Sequence, residues 1–314
     1  MLVAGVPRSG TTWIASALAA TEDAAYVHEP DNQAHHPFAY LAKRGLGAYP
    51  SLQPGDPADD YARCWDAVFT GTDGIGPRPE LVALLETLPV AERRQALGDG
   101  PLEPAVTQML ELATPKTFAT APRHRVVKSV HAALSLRWIV ARWQPEVLVV
   151  RRHPLDVLAS WQDNGFLVYL HDDDHLIPAA VRRDLTTRLG CPPPPEEPAT
   201  LLARAAWLIG VLTEGLDAAV RSVPDIRVVD HELVCRDPVG ELRWLAQRLG
   251  LAWSRAADAF VTDSRAPGTG DELRRISEAL PGRWPERLGP RELRDAGRVL
   301  AAFPFAGRYD GLRP

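Results

Sequence analysis

The residues whose types and spacing could do chemistry come first in the segment Gly5-Val6-Pro7-Arg8-Ser9-Gly10-Thr11-Thr12. Its two glycines, at G-x-x-x-x-G spacing, stand between the apolar run Leu2-Val3-Ala4 and a helical pattern, Trp13-Ile14 followed by Ala17-Leu18. A strand, a tight glycine turn and a helix N-terminus make an anion cradle, because backbone N–H groups converge there and the helix dipole favours negative charge. The triphosphate-binding version of such a loop reads G-x-x-x-x-G-K-[ST]. Here Thr11 holds the lysine position and the cation lies inside the loop, as Arg8. That argues against ordinary ATP hydrolysis and still leaves a phosphate-bearing ligand.

The elements that must position this loop alternate. Ala24-Ala25-Tyr26-Val27 reads as a second short strand, ending in His28-Glu29-Pro30. Arg125-Val126-Val127-Lys128 reads as a third, with a helix over Leu134–Trp143 behind it. Glu146-Val147-Leu148-Val149-Val150 is the clearest strand, a β-branched run of the kind buried on both faces of a parallel sheet. It leads through Arg151-Arg152-His153-Pro154 into a helix reaching Trp161. A long helix is expected from about Thr200 to Val220, then a strand at Ile226–Val229 and a helix over Pro238–Leu249, stopped by Gly250. This order predicts a P-loop-like doubly wound α/β fold: a parallel sheet flanked by helices, with ligands at the carboxyl ends of the strands. Glu29, Lys128 and Arg152 are expected just past such ends. Two stretches, about 32–122 and 163–198, break the pattern and are expected to be helical or loop-rich insertions in one domain spanning 1–314.

Composition narrows the class. At 314 residues, 46% hydrophobic and 24% charged, the chain is that of an ordinary globular protein. A formal charge of −5 gives no general attraction to nucleic acid or an anionic membrane, so any anion site must be built from local arginines. Of the 35 basic residues only Lys43, Lys116 and Lys128 are lysines. Cys64, Cys191 and Cys235 are odd in number and lack metal spacing, as expected of reduced thiols. No apolar run reaches the roughly 18 residues of a membrane span, and no signal peptide pattern precedes the first strand, so a cytoplasmic location is expected. Asp172-Asp173-Asp174 reads as a solvated acidic face.

Two motifs together resemble the sulfotransferases that use 3′-phosphoadenylyl sulfate (PAPS). The 5′-phosphosulfate loop of that family, [KR]-S-G-T-[TS]-[WL], is similar to Arg8-Ser9-Gly10-Thr11-Thr12-Trp13. Its 3′-phosphate motif, a strand ending in Arg with Ser eight residues later, is similar to Val147–Ser160, with Arg152 and Ser160 in those places. Arginine at position 8 leans to the carbohydrate and tyrosylprotein branch. The resemblance covers most of the chain outside the two irregular stretches and implies PAPS as donor, PAP as product and no metal. It further implies that Arg8 bridges the leaving phosphate and the transferring group, and that Trp13 stacks on adenine. Arg265-Ala266-Pro267-Gly268-Thr269-Gly270-Asp271 resembles the family's R-K-G-x-x-G-D loop, of which Arg265 remains as a phosphate ligand.

For the base the resemblance points two ways. Tyr26-Val27-His28-Glu29-Pro30 is similar to the carbohydrate branch, and Glu29 lies 21 positions after Arg8, as does the catalytic glutamate of tyrosylprotein sulfotransferases. His131, in Lys128-Ser129-Val130-His131, resembles the histidine base of the hormone-type enzymes, displaced by one residue. Lys128 is a candidate contact to the sulfuryl group and His28 a third candidate base. The expectation is a sulfotransferase with Glu29 as general base, acting on a small-molecule or carbohydrate hydroxyl, the two insertions forming the acceptor pocket. A P-loop small-molecule kinase and a catalytically silent nucleotide-binding protein are the alternatives.

Overall fold

The computed structural model describes residues 1–33, 37–70, 86, 123–171, 173–196, 199–264 and 281–312. Along the chain run β1 (Leu2–Gly5), α1 (Thr11–Ala19), β2 (Ala24–His28), α2 (Pro37–Ala42) and α3 (Asp59–Phe69). Next come β3 (His124–Ser129), α4 (Leu136–Trp143), β4 (Val147–Arg151) and α5 (Pro154–Asp163). After α6 (Ala179–Leu189) and α7 (Leu201–Ser222) follow β5 (Arg227–Asp230), α8 (His231–Arg236), α9 (Pro238–Arg248), α10 (Arg255–Ser264) and α11 (Pro290–Ala301).

The five strands form one parallel sheet in the order β2-β3-β1-β4-β5. β1 lies at the centre, with Leu2 in register with both Val127 and Val147. Two-residue periodicity divides the strands between two cores. Leu2, Ala4, Val127, Val147 and Val149 face one apolar cluster, with Ile139 of α4, Leu158 of α5 and Leu212 of α7. Val3, Val126, Leu148, Val150 and Val229 face the other, with Ile14 and Leu18 of α1 and Leu242 of α9. Both faces are covered, which is why β4 reads as an unbroken apolar run. The chain is a P-loop-like doubly wound α/β fold.

Connections leave β1 and β4 in opposite directions, to β2 and to β5, so the crevice above these two central strands is the topological switch point. All five carboxyl ends open on one edge, which carries Arg8, Glu29, Ser129, Arg152 and His231.

One expectation needs correction. Lys128 is not past the end of β3 but within it, paired with Val3 and His28. The stretch 163–198, expected to be helical or loop-rich, contains the 3₁₀ segment Phe166–His171 and the helix α6, whose bounds the sequence did not announce. α6 hid because Arg182, Arg183, Asp184 and Arg188 crowd it and Leu185 is its one fully buried residue, so no apolar stripe announces it. Gly190, at φ 69°, ends α6 in the left-handed conformation.

Candidate active site

The β1–α1 loop is built on a turn. The Ser9 amide donates to the Val6 carbonyl at 3.0 Å, with Pro7 second and Arg8 third in the turn. Proline presets the second position, and the third has φ 70°, the left-handed value that a type II turn requires and that glycine usually supplies. Arginine held there costs roughly 1–2 kcal/mol of backbone strain. Two contacts hold it: Trp161 Nε1 donates to the Pro7 carbonyl at 2.9 Å, and Arg152 Nη1 donates to the Arg8 carbonyl at 2.8 Å. Three successive loop carbonyls are thus engaged on the protein side.

Gly10 then starts α1 at φ 90°, with no side-chain cap and no acidic residue in the first turn. The leading amides of a helix have no partners within it, so this end keeps its donors and its positive dipole for an anion. A side chain at Gly5 would put Cβ 2.6 Å from Ser9 Oγ, and one at Gly10 would fall 2.3 Å from the His231 ring. Only glycine closes the loop this tightly. Ser9 Oγ and Arg152 Nε are buried without a hydrogen-bond partner among the described residues, two more donors that fit an anionic ligand.

The second motif converges on the first. Arg8 Nε lies 3.3 Å from Ser160 Oγ, and Asn164 Nδ2 bonds the Ser160 carbonyl at 2.7 Å. The Arg8 guanidinium also lies 5.8 Å from the centre of the Phe166 ring. Burial pulls the Arg152 pKa below the usual arginine value, against Asp156, Glu232 and Cys235, which raise it. His153 caps α5 by accepting from the Leu155 amide, and its own amide donates to Glu232, which fixes the turn after β4.

Across β1, Glu29 extends the ladder beyond β2, its amide donating to the Lys128 carbonyl at 2.7 Å. It opens a turn through Pro30 and Asp31, closed by Asn32 N to Glu29 O at 2.9 Å. Glu29 has φ 40°, so two of the three non-glycine residues with positive φ among the described residues, Arg8 and Glu29, face this edge. Its carboxylate accepts from Lys128 Nζ on one oxygen and Asn32 Nδ2 on the other. Burial raises the Glu29 pKa, but the Lys128 ammonium, the charge of a protonated His131 and these hydrogen bonds outweigh it and hold it down to about 2. The pair is 3–4% exposed. Lys128 is itself pulled down by burial, with Glu29 opposing, and we take the pair as ionised because each carries a hydrogen bond to the charged form.

The sequence-predicted residues Arg8, Ser9, Gly10, Thr11, Thr12, Arg152 and Ser160 lie at the central β1–β4 crevice, and Glu29, Lys128 and His131 lie at the neighbouring β2–β3 ends. Trp13 is core: 9% exposed, edge-on to His231 at 6.4 Å, with its indole N–H on Ser264 at 2.8 Å. His28 Nδ1 pairs with Tyr26 Oη at 2.8 Å and its Nε2 is 3.9 Å from Glu29. Trp65 is fully buried in core, and Tyr49 packs on His131. Arg265 and Asp172 lie outside the described residues. Sequence reasoning missed Trp161 and Asn164, although they follow the motif's Ser160 by one and four residues.

No protein-family model matches the chain, and no curated protein sequence matches it. Among solved structures it is similar to the crystal structure of sulfotransferase STF1 from Mycobacterium tuberculosis H37Rv (type1 form), with 18% sequence identity and a TM-score of 0.39, over 83% of this chain and 70% of that one. At that level the function has to be read from this chain's own residues. Among the described residues no helix is long and apolar enough to cross a membrane.

Proposed function

We propose that the protein is a PAPS-dependent sulfotransferase that moves a sulfuryl group to the hydroxyl of a small molecule or glycoside. The observation that carries this reading is the double link between Arg8 and the pair Arg152 and Ser160, which makes one anion site from two motifs about 150 residues apart. A donor with a 5′-phosphosulfate and a 3′-phosphate suits that arrangement: the amides and Arg8 would take the first group, and Arg152 and Ser160, directly beside them, the second.

In the reaction the acceptor oxygen forms a bond to sulfur while the bond from sulfur to the bridging phosphate oxygen breaks. The electron pair leaves with the phosphate, giving PAP. Arg8 and the α1 N-terminus stabilise the charge that grows on the leaving oxygen. Glu29 takes the acceptor's proton. A carboxylate with a pKa of about 2 is a poor base, so it becomes effective when Lys128 turns from it to the sulfuryl oxygens, which strips away the charge that depresses it. The acceptor hydroxyl is placed beside Glu29 and His131 in this reading.

Calorimetric titration with PAP, followed by incubation of labelled PAPS with a library of hydroxyl compounds, tests this reading. Binding with transfer of label is expected. Absence of PAP binding sinks it, and tight binding without transfer to any hydroxyl favours the silent nucleotide-binding alternative.

A further inference from the structure

Behind Glu29 lies a buried polar cluster that the proposed reaction leaves unused. Lys43, one residue past α2, is 2% exposed, and its ammonium donates to the Ala48 carbonyl at 2.9 Å. The same oxygen lies 3.0 Å from His131 Nδ1. A carbonyl has no hydrogen to give, so Nδ1 must carry it, and in the neutral ring Nε2 then keeps its lone pair.

The ring is held from both ends. It stacks on Tyr49, with centroids 5.3 Å apart and planes at 27°. The Ala48 and Tyr49 amides donate to His175 and Leu176 carbonyls at 2.8 and 3.1 Å, so the strip carrying the shared carbonyl is itself tied down. On the backbone side, Ser129 Oγ accepts from the amides of His131 and Ala132 at 3.1 and 3.2 Å and donates to Asp31 at 2.7 Å. The other Asp31 oxygen accepts from Tyr61 at 2.9 Å. These bonds fix the turn that carries His131.

The charged groups around the ring are Lys43, Asp31 and Glu29. Burial first, then the Lys43 ammonium, lower the His131 pKa to about 4, while Asp31, Glu29 and the bond to Ala48 pull the other way. Lys43 is lowered by burial to about 8, with Asp31, Cys64 and Glu29 opposing, so it is mostly charged at neutral pH.

We propose that Lys43 is a positioning residue: its ammonium anchors the Ala48 carbonyl against His131 Nδ1, so that the ring stays the neutral Nδ1–H tautomer and Nε2 offers only a hydrogen-bond acceptor to a donor group of the acceptor substrate beside the hydroxyl whose proton Glu29 takes. The tautomer assignment stands by itself, and the role of Nε2 rests on the sulfotransferase reading. An ether or carbonyl oxygen at this point gains no hydrogen bond, which makes the pair a selector for an O–H or N–H donor beside the reacting hydroxyl.

The test is ¹⁵N-histidine NMR of the whole chain, with the His131 signals assigned by their loss in His131→Asn. The expected result is the Nδ1–H tautomer, neutral down to about pH 5. Lys43→Gln keeps a donor near Ala48 and removes the charge, and it should raise the His131 midpoint by about one unit while the tautomer persists. Lys43→Met removes both and should mix the tautomers. Should the methionine variant fail to fold, the glutamine variant decides. An Nε2–H ring in the wild type, or a midpoint unmoved in Lys43→Gln, overturns the proposal. In turnover assays Lys43→Met should raise the acceptor KM about tenfold, the loss of one hydrogen bond, with donor affinity unchanged. An unaltered acceptor KM removes the role of Nε2. If the tautomer is as expected and no hydroxyl accepts sulfate, the sulfotransferase reading fails and the tautomer assignment stands.

Discussion

Arg152 donates a guanidinium N–H to the backbone carbonyl of Arg8 at 2.8 Å, across 144 residues of chain. One side chain thereby holds the strained residue of the β1–α1 loop while its remaining N–H groups stay available to a ligand. If the proposed donor binds here, its affinity and the loop geometry share a single support.

Arg152→Ala should weaken PAP binding by roughly 10- to 150-fold, the loss of a charge-assisted contact of about 1.5–3 kcal/mol. Turnover at saturating donor should fall much less. Isothermal calorimetry with PAP and initial rates at high PAPS separate the two, and unchanged PAP affinity would remove Arg152 from the donor site.

Arg8 distinguishes stability from function at one position. Arg8→Ala and Arg8→Gly should both depress turnover strongly, because the charge is needed most as the leaving phosphate develops. Their stabilities should differ: at φ 70° glycine relieves strain that alanine keeps, by about 1 kcal/mol. Thermal unfolding of the two variants checks the order, and a glycine variant less stable than the alanine one contradicts the turn geometry.

Glu29→Gln should lower turnover by roughly 10²–10⁴-fold with donor affinity intact. His131→Asn should act chiefly on the acceptor KM. If the glutamine variant turns over normally while the asparagine variant is inactive with unaltered donor affinity, the base is His131.

Acid should destabilise the fold in two steps. His131 is depressed from 6.5 to about 4 in the folded state, so the unfolded chain takes up its proton first, and stability falls as pH drops from 6.5 toward 4. His231, also driven well below 6.5 by burial, adds in the same sense. Glu29 is depressed from 4.5 to about 2, so its contribution is complete above pH 4.5 and is lost between 4.5 and 2. Urea unfolding at a series of pH values checks this: His131→Asn should flatten the first interval and Glu29→Gln the second.

Much of the sheet and of the β1–α1 turn was legible in the sequence, because both are local. The β-branched run at Val147–Val150 admits one environment, and Gly10 with Arg8-Ser9 lies within a single turn of chain. What stayed hidden depends on contacts between distant residues. No pattern around Lys43 says that its ammonium turns inward to Ala48, though a lone lysine among Phe38, Ala39, Leu41 and Ala42 is a usable signal. Asp31 and Ser129 are 98 residues apart, and the pairing that fixes the turn before His131 exists only once the fold brings them together. Arg8 was legible as a cation and not as a strained residue, since left-handed backbone at a non-glycine leaves no mark in residue type.

The place of β1 has a consequence for how the chain is made. It is the middle strand of the sheet, yet it is synthesised before either neighbour, and its second neighbour is complete only at Arg151. Until then its hydrogen-bonding edges are open and its apolar residues lack a core, the condition in which a nascent strand pairs with the wrong partner. Non-local parallel pairing is slow to form. The anion loop that follows β1 therefore acquires its shape late, when β4 and α5 arrive with Arg152 and Trp161, and a ribosome-bound fragment ending before residue 151 should hold no donor.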